Sequence, residues 1–139
     1  MSNTGDRLKE LDLILEELNE LGPETILLVE GRKDRMALGI MGINHQTREV
    51  QNEGGIFALT ESLAREGRTG IILTDWDRTG GQIARNLRNA LTANGVPYDD
   101  SIRARLSRIC RKDIKDIESL PSFYSRLVTE AERRREYKQ

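Results

Sequence analysis

Cysteine and histidine are almost missing from this sequence. Cys110 and His45 each stand alone, so no internal disulfide can form and no Cys/His zinc cluster can be assembled. A lone cysteine fits a reducing compartment. Cys110 lies on an apolar helical stripe and reads as a small core residue, whereas His45, in a polar loop, reads as a solvated one. No apolar run approaches ~20 residues, so no membrane span is expected. Asp6, Glu10 and Asp12 lack the charge pattern of a secretory signal, and together these features predict a cytoplasmic protein. Charge of one sign is also missing. With a formal net charge of −1, the chain cannot bind nucleic acid as a bulk polycation, and any such contact must come from a local basic patch. There is no internal repeat and no low-complexity segment.

What is present is an alternation of strand and helix. The 139 residues, 37% hydrophobic and 32% charged, suffice for one core. Leu8, Leu11, Leu15 and Leu18 are spaced 3, 4 and 3 apart, which predicts an amphipathic helix over residues 6–21. Its apolar stripe would dock onto a sheet, and the same spacing permits a homodimer seam. Gly22-Pro23 stops it. A strand is expected over 25–29, a helix after Asp34, a short second strand over 48–51, and a helix over 56–66 ended by Gly67. Ile71 to Leu73 read as a buried third strand, because parallel strands covered on both faces are continuously apolar. A helix over 79–94 follows, then an extended stretch at 96–98. The next helix begins after Asp99-Asp100-Ser101, which supply N-caps, and a last helix begins at Pro121 with a charged tail over 130–139 that frays. Alternation of this kind predicts an α/β fold with a central, mainly parallel sheet flanked by helices. The natural divisions are an N-terminal helix in 1–22, a central domain in 23–120, and a C-terminal helix with its tail in 121–139.

Three places carry candidate chemistry. Asp75 and Asp77 end the third strand, where open α/β sheets bind their ligands. Two positions apart on an extended strand, they point the same way. Their mutual repulsion raises each pKa unless a cation intervenes, and a hard divalent ion such as Mg²⁺ resolves the conflict. A solvated turn accounts for the same residues. Glu30 likewise closes the first strand, followed by Gly31, Arg32 and Lys33 at a helix start suited to an anion; a charged corner with Glu30 capping its neighbour is the plainer account. Arg103, Arg105 and Arg108, with Arg111 and Lys112, make one concentrated basic helix. That helix could seat a nucleic-acid backbone, or simply be a solvated face paired with nearby acids.

A carboxylate closing the first strand and an Asp-x-Asp closing a later one together resemble the Toprim domain, shared by bacterial-type primases, type IA and type II topoisomerases and several nucleases. The matching stretches are Ile26-Leu27-Leu28-Val29-Glu30-Gly31-Arg32-Lys33-Asp34 and Ile71-Ile72-Leu73-Thr74-Asp75-Trp76-Asp77-Arg78-Thr79-Gly80, separated by 75 − 30 = 45 residues. Glu53-Gly54-Gly55 before a helix, and Ile117-Glu118-Ser119-Leu120, further resemble the bacterial maturases of 5S ribosomal RNA and the small stand-alone Toprim proteins of archaea. The resemblance spans residues 24–120. It implies a Toprim-type, Rossmann-like fold in which Glu30 is a general acid or base. Asp75 and Asp77 would hold Mg²⁺, Glu30 sharing a ligand position, and Gly31 and Gly80 would let backbone approach a phosphate. The implied partner is nucleic acid, RNA before DNA.

This sequence departs from the larger members of that group. No tyrosine-bearing topoisomerase domain is present, and the chain is too short for the zinc and helical domains of a primase. What remains is a stand-alone nuclease or nucleotidyl-transfer module, or a non-catalytic module that binds metal and nucleic acid and acts with a partner protein. Asp75-Trp76-Asp77-Arg78-Thr79 also fits the first motif of haloacid-dehalogenase-like phosphatases. In that family a lysine precedes an acidic pair, whereas here Asp99-Asp100 precedes Lys112. Glu30 discriminates, since only the Toprim reading needs it beside the aspartates.

Overall fold

The computed structural model describes residues 3–137. The chain runs through α1 (Thr4–Asn19), β1 (Thr25–Val29), α2 (Arg32–Ile40), β2 (Thr47–Glu49), a 3-10 turn (Val50–Asn52), α3 (Ile56–Glu66), β3 (Thr69–Ile72), α4 (Arg78–Ala93), β4 (Tyr98–Asp99), α5 (Ser101–Cys110) and α6 (Leu120–Tyr137). The four strands form one parallel sheet in the order β2-β1-β3-β4. The fold is α/β and Rossmann-like.

Side chains of the sheet alternate between two apolar layers. Leu27, Val29, Ile71 and Leu73 face one side, joined by Leu11, Ile14 and Leu18 of α1, Leu38 of α2, Leu106 and Cys110 of α5, and Phe123 and Leu127 of α6. Ile26, Leu28 and Ile72 face the other, against Leu59 and Leu63 of α3 and Leu87 and Leu91 of α4. With both faces covered, every residue of β1 is buried. Burial pushes the Cys110 thiol up to about 12, as befits an inert core group. Among the described residues, no helix is long and apolar enough to cross a membrane.

Strand order decides where a ligand can sit. From β1 the chain turns to β2 on one side, and from β3 to β4 on the other. The connections diverge between β1 and β3, leaving a crevice beyond the carboxyl ends of those two neighbouring strands. Glu30 follows β1 directly, and Asp75 lies three residues past the end of β3.

Several expectations change. α1 starts earlier than its leucines suggest, because the Asn3 side chain caps it by accepting from the Asp6 N–H at 2.8 Å. Its stripe lies against α5 and α6 as well as joining the core that reaches the sheet. The second strand is Thr47–Glu49, and the chain turns into a 3-10 helix where it was expected to stay extended. His45 is not a free solvated residue: it is half-buried, with Nε2 2.6 Å from the Thr25 carbonyl oxygen. α6 continues to Tyr137, through most of the charged tail; residues 138–139 lie outside the described chain.

Candidate functional site

The site is assembled by backbone groups of one strand end reaching side chains of the other. The Asp75 N–H donates to Glu30 Oε2 at 2.8 Å, so the carboxylate of one motif touches the backbone of the other, 45 residues away in sequence. Hydrogen bonds then clamp the segment before α6 against the β3–α4 loop. The Trp76 N–H donates to Lys115 O at 3.0 Å, Trp76 Nε1 donates to Ile114 O at 2.8 Å, and the Ile117 N–H donates to Asp75 Oδ1 at 2.9 Å. Trp76 is therefore a strut between the two aspartates.

Asp75 and Asp77 do not share a strand face. β3 ends at Ile72, earlier than its apolar run suggests, so the two-residue alternation does not reach them. Asp77 instead caps α4, its Oδ1 accepting from the Gly80 N–H at 2.7 Å. Gly80 must be glycine for a packing reason: a Cβ there would fall inside the Asp75 carbonyl. Thr74 Oγ1 donates to Gly80 O at 2.8 Å, which closes the same loop from below. Gly31 is less constrained, since the atom facing its missing Cβ is the movable Gln51 Oε1 at 2.5 Å.

Electrostatics follow from this crowding. Burial pushes the Asp75 carboxyl up to about 7, against the stabilising bond from the Ile117 N–H, and the charges of Glu30, Asp34 and Asp77 add to the rise. Burial also raises Glu30, opposed by the Asp75 N–H and assisted by the charges of Asp34 and Asp77. Asp34 is raised as well, by burial and then by Glu118 and Asp116. Asp34, rather than Glu30, caps the corner: its Oδ2 accepts from the Gly31 N–H at 3.0 Å. Three acids beyond the expected trio thus surround the crevice. Asp34 had a legible signal, an acid three residues past a helix-opening glycine; Asp116 is brought in only by the tertiary clamp.

The basic candidates divide. Arg32 and Lys33 lie exposed in the first turn of α2, on the rim of the crevice. Arg103 turns inward, donating from Nε to Thr74 O at 3.0 Å and from Nη2 to Asp75 O at 2.7 Å. Arg105 grips Glu17 with both terminal nitrogens, at 2.8 and 2.7 Å, while Arg108 is exposed. Hence α5 is not one basic face presented to solvent.

Glu30, Asp75 and Asp77 offer hard oxygen donors, the chemistry that suits Mg²⁺. Glu30 Oε2, Asp75 Oδ1 and Asp77 Oδ1 are engaged by backbone N–H groups, which fixes the three side chains and leaves one oxygen of each for an ion. Among the described residues, no three acids, histidines or cysteines already enclose an ion-sized space. The donor chemistry therefore fits a hard divalent ion, although the three side chains do not already enclose one.

No family model matches the chain. It is 37% identical over 122 residues to a UPF0292 protein of Methanosarcina barkeri, covering 87% of this chain and 85% of that one. A UPF0292 protein of Methanosarcina acetivorans is 35% identical over 122 residues, covering 88% and 83%. One of Pyrococcus horikoshii is 33% identical over 124 residues, covering 88% and 89%. A solved structure of a protein from Aquifex aeolicus has the same fold, with a TM-score of 0.66 at 25% identity over 78% of this chain and 96% of that one.

Proposed function

The chain belongs to the UPF0292 family, and we propose that it is a stand-alone Toprim-type module that hydrolyses or transfers a phosphodiester bond with Mg²⁺, on RNA in preference to DNA. The observation that carries this reading is the 2.8 Å contact between the Asp75 backbone and the Glu30 carboxylate. It joins the two motifs at the switch point of the sheet, where neither motif alone would define a site. It also favours this reading over the phosphatase alternative, in which Glu30 has no part.

Roles follow from position. Asp75 and Asp77 would hold the ion, with Glu30 able to share it; a bound Mg²⁺ neutralises charge that builds on a phosphate during transfer. Glu30, lifted by burial and by neighbouring acids, can carry a proton nearer neutral pH than a free glutamate can. Exposed Arg32 and Lys33 hold the phosphate backbone at the rim, whereas Gly31, buried beneath the Gln51 side chain, does not take the phosphate-approach role expected of it. Arg103 holds the Thr74 and Asp75 carbonyls and so sets the loop that carries both aspartates.

The test uses purified protein on structured RNA, on DNA and on a simple phosphate ester, with Mg²⁺ and then with chelator. Metal-dependent cleavage that disappears in Glu30→Gln and Asp75→Asn is expected. Turnover of the ester alone supports the phosphatase. No turnover on any substrate, with nucleic acid still bound, leaves the non-catalytic module acting with a partner protein.

A further inference from the structure

The two phenylalanines of the chain sit in opposite environments. Phe123 is 2% exposed and belongs to the core, whereas Phe57 is 70% exposed and joins neither apolar layer. Its neighbour Ile56 does pack on the second layer, so the helix is anchored by one residue and presents the next. Leaving a phenylalanine in water forgoes roughly 1.5–3 kcal/mol of burial, a cost that scattered surface residues commonly carry without purpose. Its position is what distinguishes it.

Phe57 lies in the first turn of α3, directly after the segment that folds over the Glu30 corner. The Gln51 N–H donates to Glu30 O at 3.1 Å, and the Gln51 side chain covers Gly31. From there the chain passes through Gly54 and Gly55, at φ +79° and +102°, conformations that side chains rarely adopt. Nothing lies within 4 Å of the place a Gly55 Cβ would occupy, so this turn is open where the chain enters α3. α2 and α4 begin on this same end of the sheet, and their first turns hold Arg32, Lys33 and Arg78 exposed. An exposed ring on the same end of the sheet as exposed cations and the carboxylate crevice suits a strand that offers bases and phosphates in turn.

We infer that Phe57 stacks on an unpaired base, and that the substrate class is a single-stranded nucleic-acid segment laid across the rim. The inference rests on the phosphodiester reading above. In a duplex both faces of each internal base are already stacked, so the ring would have nothing to cover; in a single strand the contact is available to any base.

The experiment measures fluorescence anisotropy of a short oligouridine and of a duplex RNA of the same length, in Ca²⁺, which takes the same oxygen ligands. Wild-type protein should prefer the single strand. Phe57→Ala should weaken the single strand about tenfold and leave the duplex unchanged, while keeping metal-dependent cleavage of the residual bound strand. Phe57→Trp should retain the affinity, and the fluorescence of the new indole should be quenched as the strand binds. If wild-type protein binds and cleaves but Phe57→Ala binds the single strand equally well, or loses both probes alike, stacking is wrong and the phosphodiester reading survives. If wild-type protein neither binds nor cleaves any strand, both readings fall.

Discussion

The carboxylate rim and helix α5 carry concentrated charge of opposite sign, and folding treats them in opposite ways. On α5 the charge is largely consumed inside the molecule. Arg105 closes on Glu17, Arg103 on two backbone carbonyls, and Arg111 on Ser107. At the rim, Glu30, Asp34, Asp75 and Asp77 gather without any of them entering an ion pair among the described residues. Their partners are backbone N–H groups, which orient a carboxylate without cancelling its charge. Density of charge along the chain therefore does not predict which charges stay uncompensated after folding, the property on which the proposed site rests.

The largest effects should come from the rim. Glu30→Gln and Asp75→Asn are each expected to lower metal-dependent cleavage by at least about a hundredfold, with folding intact by circular dichroism, whereas Arg105→Ala should leave the rate unchanged. A rate loss in Arg105→Ala equal to that in Glu30→Gln would erase the contrast between the two regions.

Next is the packing that holds the rim. Gly80→Ala drives a methyl into the Asp75 carbonyl, a backbone atom that cannot swing aside, and should cost about 3 kcal/mol of stability in urea denaturation. Arg103→Ala strips two carbonyls of their donors and should cost about 1–3 kcal/mol, only partly restored by Arg103→Lys because the lysine lacks the planar fork. Unchanged stability with weakened nucleic-acid binding would return Arg103 to the solvent-facing role its neighbours in sequence suggested.

A pH series sharpens the comparison further. The folded Asp75 pKa, about 7, lies above its ordinary value of 3.8. The folded state thus holds a proton that the unfolded state has released, and stability falls as pH rises from about 4 to 7. For a half-buried group, solvent screening reduces this to on the order of 1 kcal/mol. Thermal midpoints measured without metal should drop across that window, and the drop should shrink in Asp75→Asn and on adding Mg²⁺. The smallest effect belongs to α5: breaking the Arg105–Glu17 pair, an exposed ion pair, should change stability by less than about 1 kcal/mol, and high salt should abolish even that.

Much of the architecture could be read along the chain. The α3 bounds at Ile56 and Glu66 came from the Ile56, Leu59, Leu63 spacing and the Gly67 stop, which indeed sits at a left-handed φ of 66°. β1 came from its unbroken apolar run. Errors gathered where side-chain hydrogen bonds override pattern. Asn3 pulled α1 forward, the Thr25 carbonyl drew His45 inward, and the cap at Asp77 ended the extended backbone before the aspartates could share a face.

The order of apolar and polar residues thus sufficed to set the helices, the strands and the placing of acids just past strand ends, because those features depend on periods of two and 3.6 residues within a single segment. Which acids meet was settled only in three dimensions. The pairing of β1 with β3, the clamp of residues 114–117 onto Trp76 and the inward turn of Arg103 all join segments distant along the chain, and no local period encodes contacts of that kind.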